Sequence, residues 1–406
     1  MSLEPNDVVV VDALRTPIGK IRGSLSRVRP DDMAAHVLRS LLERQPAAKD
    51  AVEEVLLGAT NQAGEDNRNI ARMAALLAGL PYEVTGVTLN RLCGSGLEAV
   101  IQASRAIRVG DHDVLVAGGV ESMSRAPYAY PKPAEAFPRK PPTVFDTSLG
   151  WRFQNPAMAE RFPLISMGMT AENVAEKYGV NREDQDAFAL SSHKKAAAAW
   201  EAGHFANEVV SVTVPPAHKR DVAKTVERDE CVRPDTSLEQ LARLRTIFKA
   251  DGTVTAGNAS PMNDGAAMVL LTSARWAKEN GVTPLARVVA SASAGVHPNY
   301  MGIGPVPSTQ KALKRAGLQA SDLDVVELNE AFAAQSLACV RELGFSQERV
   351  NVLGGAIALG HPIGCSGARI VGTLMTAMKE KDATLGLATL CIGVGQGLAV
   401  VFERVS

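Results

Sequence analysis

The sequence predicts an α/β fold of two similar halves, the first interrupted by an irregular insertion. Three observations lead to it. Short, nearly continuous apolar segments alternate with amphipathic helical ones, the pattern of strands covered on both faces by crossover helices. The alternation stops at Arg125 and resumes near Asp251. From residue 354 onward the elements around residues 85–124 recur in the same order, with Gly364-Cys365-Ser366-Gly367 in the place of Cys93-Gly94-Ser95-Gly96.

Taken in order, DVVVVDALRTPIG (7–19) is a strand that stops at a turn holding Pro17 and Gly19. MAAHVLRSLLER (33–44) has helical apolar spacing, and VEEVLLGAT (52–60) leads into another strand. NIARMAALLAGL (69–80) is a helix ended by Gly79, with Pro81 just beyond. TGVTL (85–89) is β-branched and apolar, so it reads as a buried strand. In NRLCGSGLEAVIQASRAI (90–107) a glycine turn then opens a helix whose apolar face is Leu97, Val100, Ile101, Ala103, Ala106 and Ile107. DVLVAGGVESMS (113–124) is a further buried strand. These elements imply a mostly parallel sheet with helices on both faces.

RAPYAYPKPAEAFPRKPP (125–142) holds six prolines, which exclude regular helix or central strand. Two amphipathic helices are expected after it, MTAENVAEKYG (169–179) and REDQDAFALSSHKKAAAAWEAG (182–203). The stretch 125–250 therefore reads as an insertion over the sheet's edge. DGTVTAGNASPMNDGAAMVLLTS (251–273) completes the first half begun by residues 1–124. The second half, 274–406, runs through LARVVASASAG (285–295), DVVELNEAFAAQSLACVREL (324–343) and GGAIALGHPIGCSGARIVGTLMTAM (354–378). It ends in TLGLATLCIGVGQGLAVVFE (384–403), which mirrors the strand that follows the Cys93 helix.

Composition narrows the classes of function. At 406 residues, 46% hydrophobic and 21% charged, the chain is an ordinary globular one of two or three domains. A net charge of −1 gives no basic footprint for nucleic acid or an anionic membrane. No apolar run approaches the ~18 residues of a membrane span. MSLEPNDVVVVDA has no basic region ahead of an apolar core, and VFERVS carries no peroxisomal tripeptide, so a cytoplasmic location is expected. Five scattered cysteines form no CxxC pair, which points away from both a disulfide framework and a metal site.

Four residues carry candidate chemistry. Cys93 stands at a strand–turn–helix junction, where the helix N-terminus favours thiolate and small glycines admit a substrate carbonyl. Taken alone, it is as readily a buried structural cysteine. Asn329, beside Glu330, falls where a strand gives way to a helix, and the pair reads equally as a helix cap. His361, between Gly360 and Pro362, is either a loop histidine or a base. Cys391 precedes Ile392-Gly393-Val394-Gly395 and is either core filler or a second thiol at a cavity. Together they make chemical sense. Cys93 needs a base, and imidazole supplies one. A second thiol can exchange a proton with carbon, and the N–H groups of Cys93 and Gly393 with the Asn329 amide can hold oxyanions. Two thiols and one imidazole suit carbon-acid chemistry on a thioester, whereas hydrolysis needs one thiol.

Those stretches resemble the thiolases: NRLCGSG around Cys93, NEAFA at 329–333, GGAIALGHPIGCSGAR at 354–369 and CIGVGQG at 391–397. DALRTPIGK (12–20), GGVESMS (118–124) and GTVTAGNASPMNDGAA (252–267) are similar to thiolase segments too, so the likeness spans the chain. The resemblance implies the thiolase fold, duplicated βαβαβαββ halves in a five-layer αβαβα arrangement with an inserted loop domain. It implies thiolytic cleavage of 3-ketoacyl-CoA by coenzyme A. Cys93 is then the nucleophile, His361 its base and the activator of CoA, and Cys391 the acid that protonates the acetyl-CoA enolate. His361 and a water on Asn329 hold the enolate oxygen, and the Cys93 and Gly393 N–H groups hold the tetrahedral oxygen. Arg233 is expected at the nucleotide end of CoA and Ser260 near its pantetheine, with Met167, Met301, Ala331 and Phe332 lining the acyl pocket. No metal and no permanently bound cofactor are expected, and a homodimer or homotetramer is.

One departure bears on substrate. Thiolases specialised for acetoacetyl-CoA often carry His-Met-Gly where this chain has Ser166-Met167-Gly168. FDTSLGWRFQNPAM (145–158) instead resembles bacterial degradative thiolases, including those acting on 3-oxoadipyl-CoA, with Arg152 available to a terminal carboxylate. The expectation is a degradative thiolase of β-oxidation type and broad chain length. The alternatives are an acetoacetyl-CoA or 3-oxoadipyl-CoA thiolase, a carrier-protein condensing synthase, a cysteine hydrolase, and a non-catalytic acyl-CoA-binding relative.

Overall fold

The computed structural model describes residues 3–218 and 220–405. Met1, Ser2 and Ser406, at the ends of the terminal segments read above, and Lys219 lie outside the described residues. The principal strands of the large sheet are β1 (Val8–Arg15), β2 (Glu54–Gly58), β3 (Thr85–Leu89), β4 (Val114–Ser122), β5 (Asn263–Ser273), β6 (Ala286–Gly295), β7 (Val325–Leu328), β8 (Leu385–Ile392) and β9 (Gln396–Arg404). Their order is β7-β8-β9-β6-β1-β5-β4-β2-β3. The principal helices are α1 (Pro30–Arg44), α2 (Ile70–Leu77), α3 (Ser95–Val109), α4 (Met167–Lys177), α5 (Arg182–Glu201), α6 (Pro305–Ala316), α7 (Ala333–Leu343), α8 (Ala356–Leu359) and α9 (Ile363–Glu380).

Alternation along the strands builds the layers. On β1, Val9 and Val11 face a core shared with α1 and α2, while Val8 and Val10 face one shared with α3 and α9. β5 repeats this, with Met268 and Leu270 on one side and Val269 and Leu271 on the other. On β9, Leu398, Val400 and Phe402 join the α3/α9 core, and Ala399 and Val401 join a third core with α6 and α7. Helices α3 and α9 are therefore packed between two sheets, with α1/α2 and α6/α7 outside them. That is the five-layer αβαβα order. Each Val or Leu so buried is worth about 1.5–3 kcal/mol, so both faces hold the strands in place. The two sheets join through β1 and β6, which pair only at Val9–Arg287 and Val10–Ala286.

Several expectations change. The sheet is mixed: β1, β4 and β6 run antiparallel to their neighbours β5 or β9, and only β2–β3, β2–β4 and β7–β8 are parallel. The parallel pairs are joined by helix-containing crossovers, and β8 and β9, joined by a tight turn, are antiparallel. TGVTL, expected to be buried, is the outermost strand β3 and has no fully buried residue. The C-terminal stretch is a hairpin, β8 and β9, turning at 393–395. Residues 125–250 add helices and two small ribbons, Tyr128–Ala129 with Phe145–Asp146 and Val212–Val214 with Lys224–Val226. Their helices pack on α7 and α8, over the helical face of the second half and not over a sheet edge. Among the described residues no helix is long and apolar enough to cross a membrane.

Candidate active site

The ends of β7 and β8 and the starts of α3 and α9 converge. Asn329, just after β7, donates its N–H to Thr389 O on β8 (3.0 Å). Cys391 lies two residues further along β8, and the Gly393 N–H beyond it points at the Cys93 sulfur. Glycines let the helix starts touch: a Cβ on Gly96 would lie 2.8 Å from Ala368 N.

The Cys93 turn is held in an uncommon shape. Leu92 adopts φ 48° and Val394, beside Gly393, adopts φ 65°, conformations that cost L residues about 1–2 kcal/mol each. Ser95 secures the first, donating from Oγ to Leu92 O (2.6 Å) and accepting the Arg91 N–H (2.8 Å). Arg91 reaches across to Gln396 Oε1 (3.0 Å) and pairs with Glu98 (3.0 Å), tying the turn to β9. The position at the start of α3 suggested a thiolate, but burial pushes the Cys93 thiol up to about 11, beyond what the Gly393 N–H recovers. Cys93 rests as a thiol. Cys391 is 1% exposed; burial first, then the nearby Cys93, pushes it well above the usual thiol range.

His361 is fixed on three sides. Its N–H donates to Asn263 Oδ1 (2.8 Å), its Nδ1 meets Ser366 Oγ (2.6 Å), and its Nε2 faces Asn329 Nδ2 (3.4 Å). Ser366 Oγ also lies 2.9 Å from Pro362 O, which can only accept. An amide nitrogen only donates, so Asn329 Nδ2 facing Nε2 favours the tautomer with the ring proton on Nδ1, in which Ser366 Oγ accepts from Nδ1 and donates to Pro362 O. Gly360, at φ 117°, makes the approach possible, because a Cβ there would sit 2.7 Å from the Asn263 amide. Burial, then the charge of Arg369, lowers His361 to about 4, so it is neutral at pH 7 and able to take a proton.

The carboxylates near the site brace it. Glu330, whose carboxyl burial pushes up, accepts from Ser192 Oγ (2.7 Å), Asn351 Nδ2 (2.7 Å) and Ile357 N–H (3.1 Å), holding α8 ahead of His361. Glu121 accepts the Gly364 N–H (2.9 Å) and both the N–H and hydroxyl of Thr60, joining the start of α9 to the first half. Glu327 and Arg369, both buried, pair at 3.3 Å behind the histidine. Asn329 Oδ1 is buried with no partner among the described residues, an acceptor suited to a bound water.

Met167, Met301, Ala331 and Phe332 share one apolar cluster with Cys391, Ala171 and Val254. A Cβ on Gly393 would lie 3.5 Å from Met167 Sδ, so the cluster opens on the Cys93 turn. Ser260 joins its rim, donating N–H to Ala331 O (3.0 Å). Arg233 is tied elsewhere, its N–H donating to His193 Nδ1 on α5 (3.2 Å). Arg152 is half-buried and has no carboxylate partner among the described residues. Sequence reasoning missed Asn263, Ser366 and Glu121. Only the position of Ser366 within GHPIGCSG hinted at its use.

A family model described as Thiolase, N-terminal domain matches residues 8–275, and one described as Thiolase, C-terminal domain matches 282–404. The chain is 53% identical over 402 residues to the 3-oxoadipyl-CoA/3-oxo-5,6-dehydrosuberyl-CoA thiolase of Escherichia coli (strain K12), covering 98% of this chain and 100% of that protein. It is 56% identical over 402 residues to the beta-ketoadipyl-CoA thiolase of Pseudomonas aeruginosa, covering 98% and 99%. Among solved structures, the Bacillus anthracis acetyl-CoA acetyltransferase superposes with a TM-score of 0.92 at 42% identity over the full length of both chains.

Proposed function

The chain belongs to the thiolase family, and on that premise we propose that it cleaves 3-ketoacyl-CoA esters carrying a terminal carboxylate, 3-oxoadipyl-CoA foremost. The observation that carries the chemistry is the convergence of two protonated thiols, one neutral imidazole and an amide on one rim. The names of the relatives support the substrate.

Cys93 attacks the 3-keto carbon as its proton passes to His361 Nε2. The new alkoxide is held by the Cys93 and Gly393 N–H groups. Its collapse breaks the C2–C3 bond, leaving an acyl group on Cys93 and an acetyl-CoA enolate. His361 and the water on Asn329 stabilise the enolate oxygen while Cys391 gives its proton to C2. His361 returns its proton to the Cys391 thiolate, and acetyl-CoA leaves. Coenzyme A, a co-substrate, then attacks the acyl group, passing its thiol proton to His361, which reprotonates Cys93 as it departs. Protons and electrons balance over the cycle.

In this reading residues 125–250 form the loop domain that binds CoA, between halves made of 1–124 with 251–273 and of 274–406. Arg233 serves the nucleotide and Ser260 the pantetheine, and Met167, Met301, Ala331 and Phe332 wall the acyl pocket. The exposed edge of β3 pairs with a second copy to give a homodimer, from which a homotetramer is built; an open strand edge supports this. The setting is cytoplasmic degradation, in keeping with five free cysteines.

A thiolysis panel tests the proposal, with acetoacetyl-CoA, medium and long 3-ketoacyl-CoAs and 3-oxoadipyl-CoA run beside a Cys93→Ser blank. Highest kcat/KM on 3-oxoadipyl-CoA is expected. Preference for acetoacetyl-CoA alone would refute the substrate, and no CoA-dependent cleavage by folded protein would refute the activity.

A further inference from the structure

We propose that the terminal carboxylate of the substrate is received by a cationic lip of Arg161, Lys177 and His297 at the mouth of the acyl pocket. This deepens the dicarboxylic reading above and rests on it. The wall of Met167, Met301, Ala331 and Phe332 offers no side-chain hydrogen-bond donor, and a carboxylate left there unpaired is strongly disfavoured. The charged end must pass beyond that wall to a cation.

The loop that leads there also braces the catalytic turn. Val296 donates its N–H to Gly395 O (2.8 Å), and a Cβ on Gly395 would lie 3.0 Å from Pro298 Cα, so loop and turn are in backbone contact. A few residues on, Met301 joins the cluster around Cys391. Between them, the His297 ring packs 5.6 Å from Phe162 and 5.9 Å from Tyr300. The Arg161 guanidinium lies over Phe162 (5.8 Å), and Lys177 Nζ lies over Tyr300 (4.5 Å). Aromatic faces thus orient both cations.

The three groups are chemically free. None has a carboxylate within ion-pair distance among the described residues, and Glu176, next to Lys177, is taken by Lys249 (3.0 Å). His297 Nδ1 accepts the Asn299 N–H (3.2 Å), which leaves Nε2–H as a donor. In 3-oxoadipyl-CoA the carboxyl carbon is three bonds beyond the attacked C3, about 4 Å, which is roughly the depth of one side-chain wall.

The test uses a matched pair of substrates, 3-oxoadipyl-CoA and 3-oxohexanoyl-CoA, which differ only by carboxylate against methyl. For Arg161→Ala/Lys177→Ala, kcat/KM on 3-oxoadipyl-CoA is expected to fall about 10- to 100-fold, mainly through KM, with 3-oxohexanoyl-CoA unchanged. His297→Ala should lose part of that discrimination and His297→Gln, which keeps a donor, less. A parallel fall on both substrates would mean the cluster only shapes the loop and would overturn the proposal. So would discrimination that survives the double variant and vanishes in Arg152→Ala. Wild-type enzyme that prefers 3-oxohexanoyl-CoA would instead refute the dicarboxylic reading itself, before any variant is made.

Discussion

Replacing Ser366 by alanine removes the side-chain partner of His361 Nδ1. Its Oγ stands 2.6 Å from Nδ1 and 2.9 Å from Pro362 O, so with Nδ1 protonated, as the Asn329 amide at Nε2 favours, it accepts from the ring and donates to the carbonyl. Ser366 is fully buried and His361 only 7% exposed, so little water replaces the lost acceptor. A buried donor left without a partner costs about 1–3 kcal/mol, and the tautomer with its lone pair on Nδ1, useless to Cys93, gains by that amount. Converted to rate, the loss is roughly 5- to 150-fold in kcat/KM. The assay is single-turnover acylation of Cys93 alongside steady-state thiolysis, with thermal melting to confirm that the variant is folded. Acylation should slow as much as turnover, because the proton is needed at the first step. A folded Ser366→Ala enzyme that acylates at the wild-type rate between pH 6 and 8 would refute the assignment.

Cys391→Ala should still exchange acyl groups between acyl-CoA and Cys93 while carbon–carbon cleavage falls by at least about 100-fold, the lower range for losing a general acid; acyl exchange and 3-ketoacyl-CoA cleavage measured side by side decide it. Acid should destabilise the protein through His361 and His193, whose imidazoles burial lowers to about 4 from 6.5. Between those values the unfolded chain binds protons the folded one does not, so their contribution is whole above pH 6.5 and is lost as pH falls toward 4. It amounts to up to roughly 3 kcal/mol each. Urea unfolding at several pH values would show it, and a flat profile from pH 7 to 4.5 would contradict it.

Much of the site was legible because its parts are local. A cysteine ahead of Gly-Ser-Gly and an apolar helix, a histidine held between Gly360 and Pro362, and a cysteine before a glycine turn are each visible within a dozen residues. Strands and helices were legible for the same reason, since their periodicity is short-range. The direction of strand pairing was not, because it depends on which strands become neighbours. β1 pairs with β5, some 250 residues away in the chain, and nothing in either segment shows that the partner runs antiparallel. Asn263 was missed likewise: it holds the His361 backbone from 98 residues away and looks in sequence like any strand-edge asparagine.

The state of Cys93 shows the division most clearly. The sequence by itself determined that a thiol would sit at a helix N-terminus, and local electrostatics then favoured thiolate. The tertiary structure decided otherwise. Folding brings the Gly393 turn, 300 residues further along, over Cys93 and packs the half-buried residue against apolar neighbours, and desolvation outweighs the local dipole. Residue type and short-range turns are properties of the chain; solvation and the partners of a proton are properties of the assembled core.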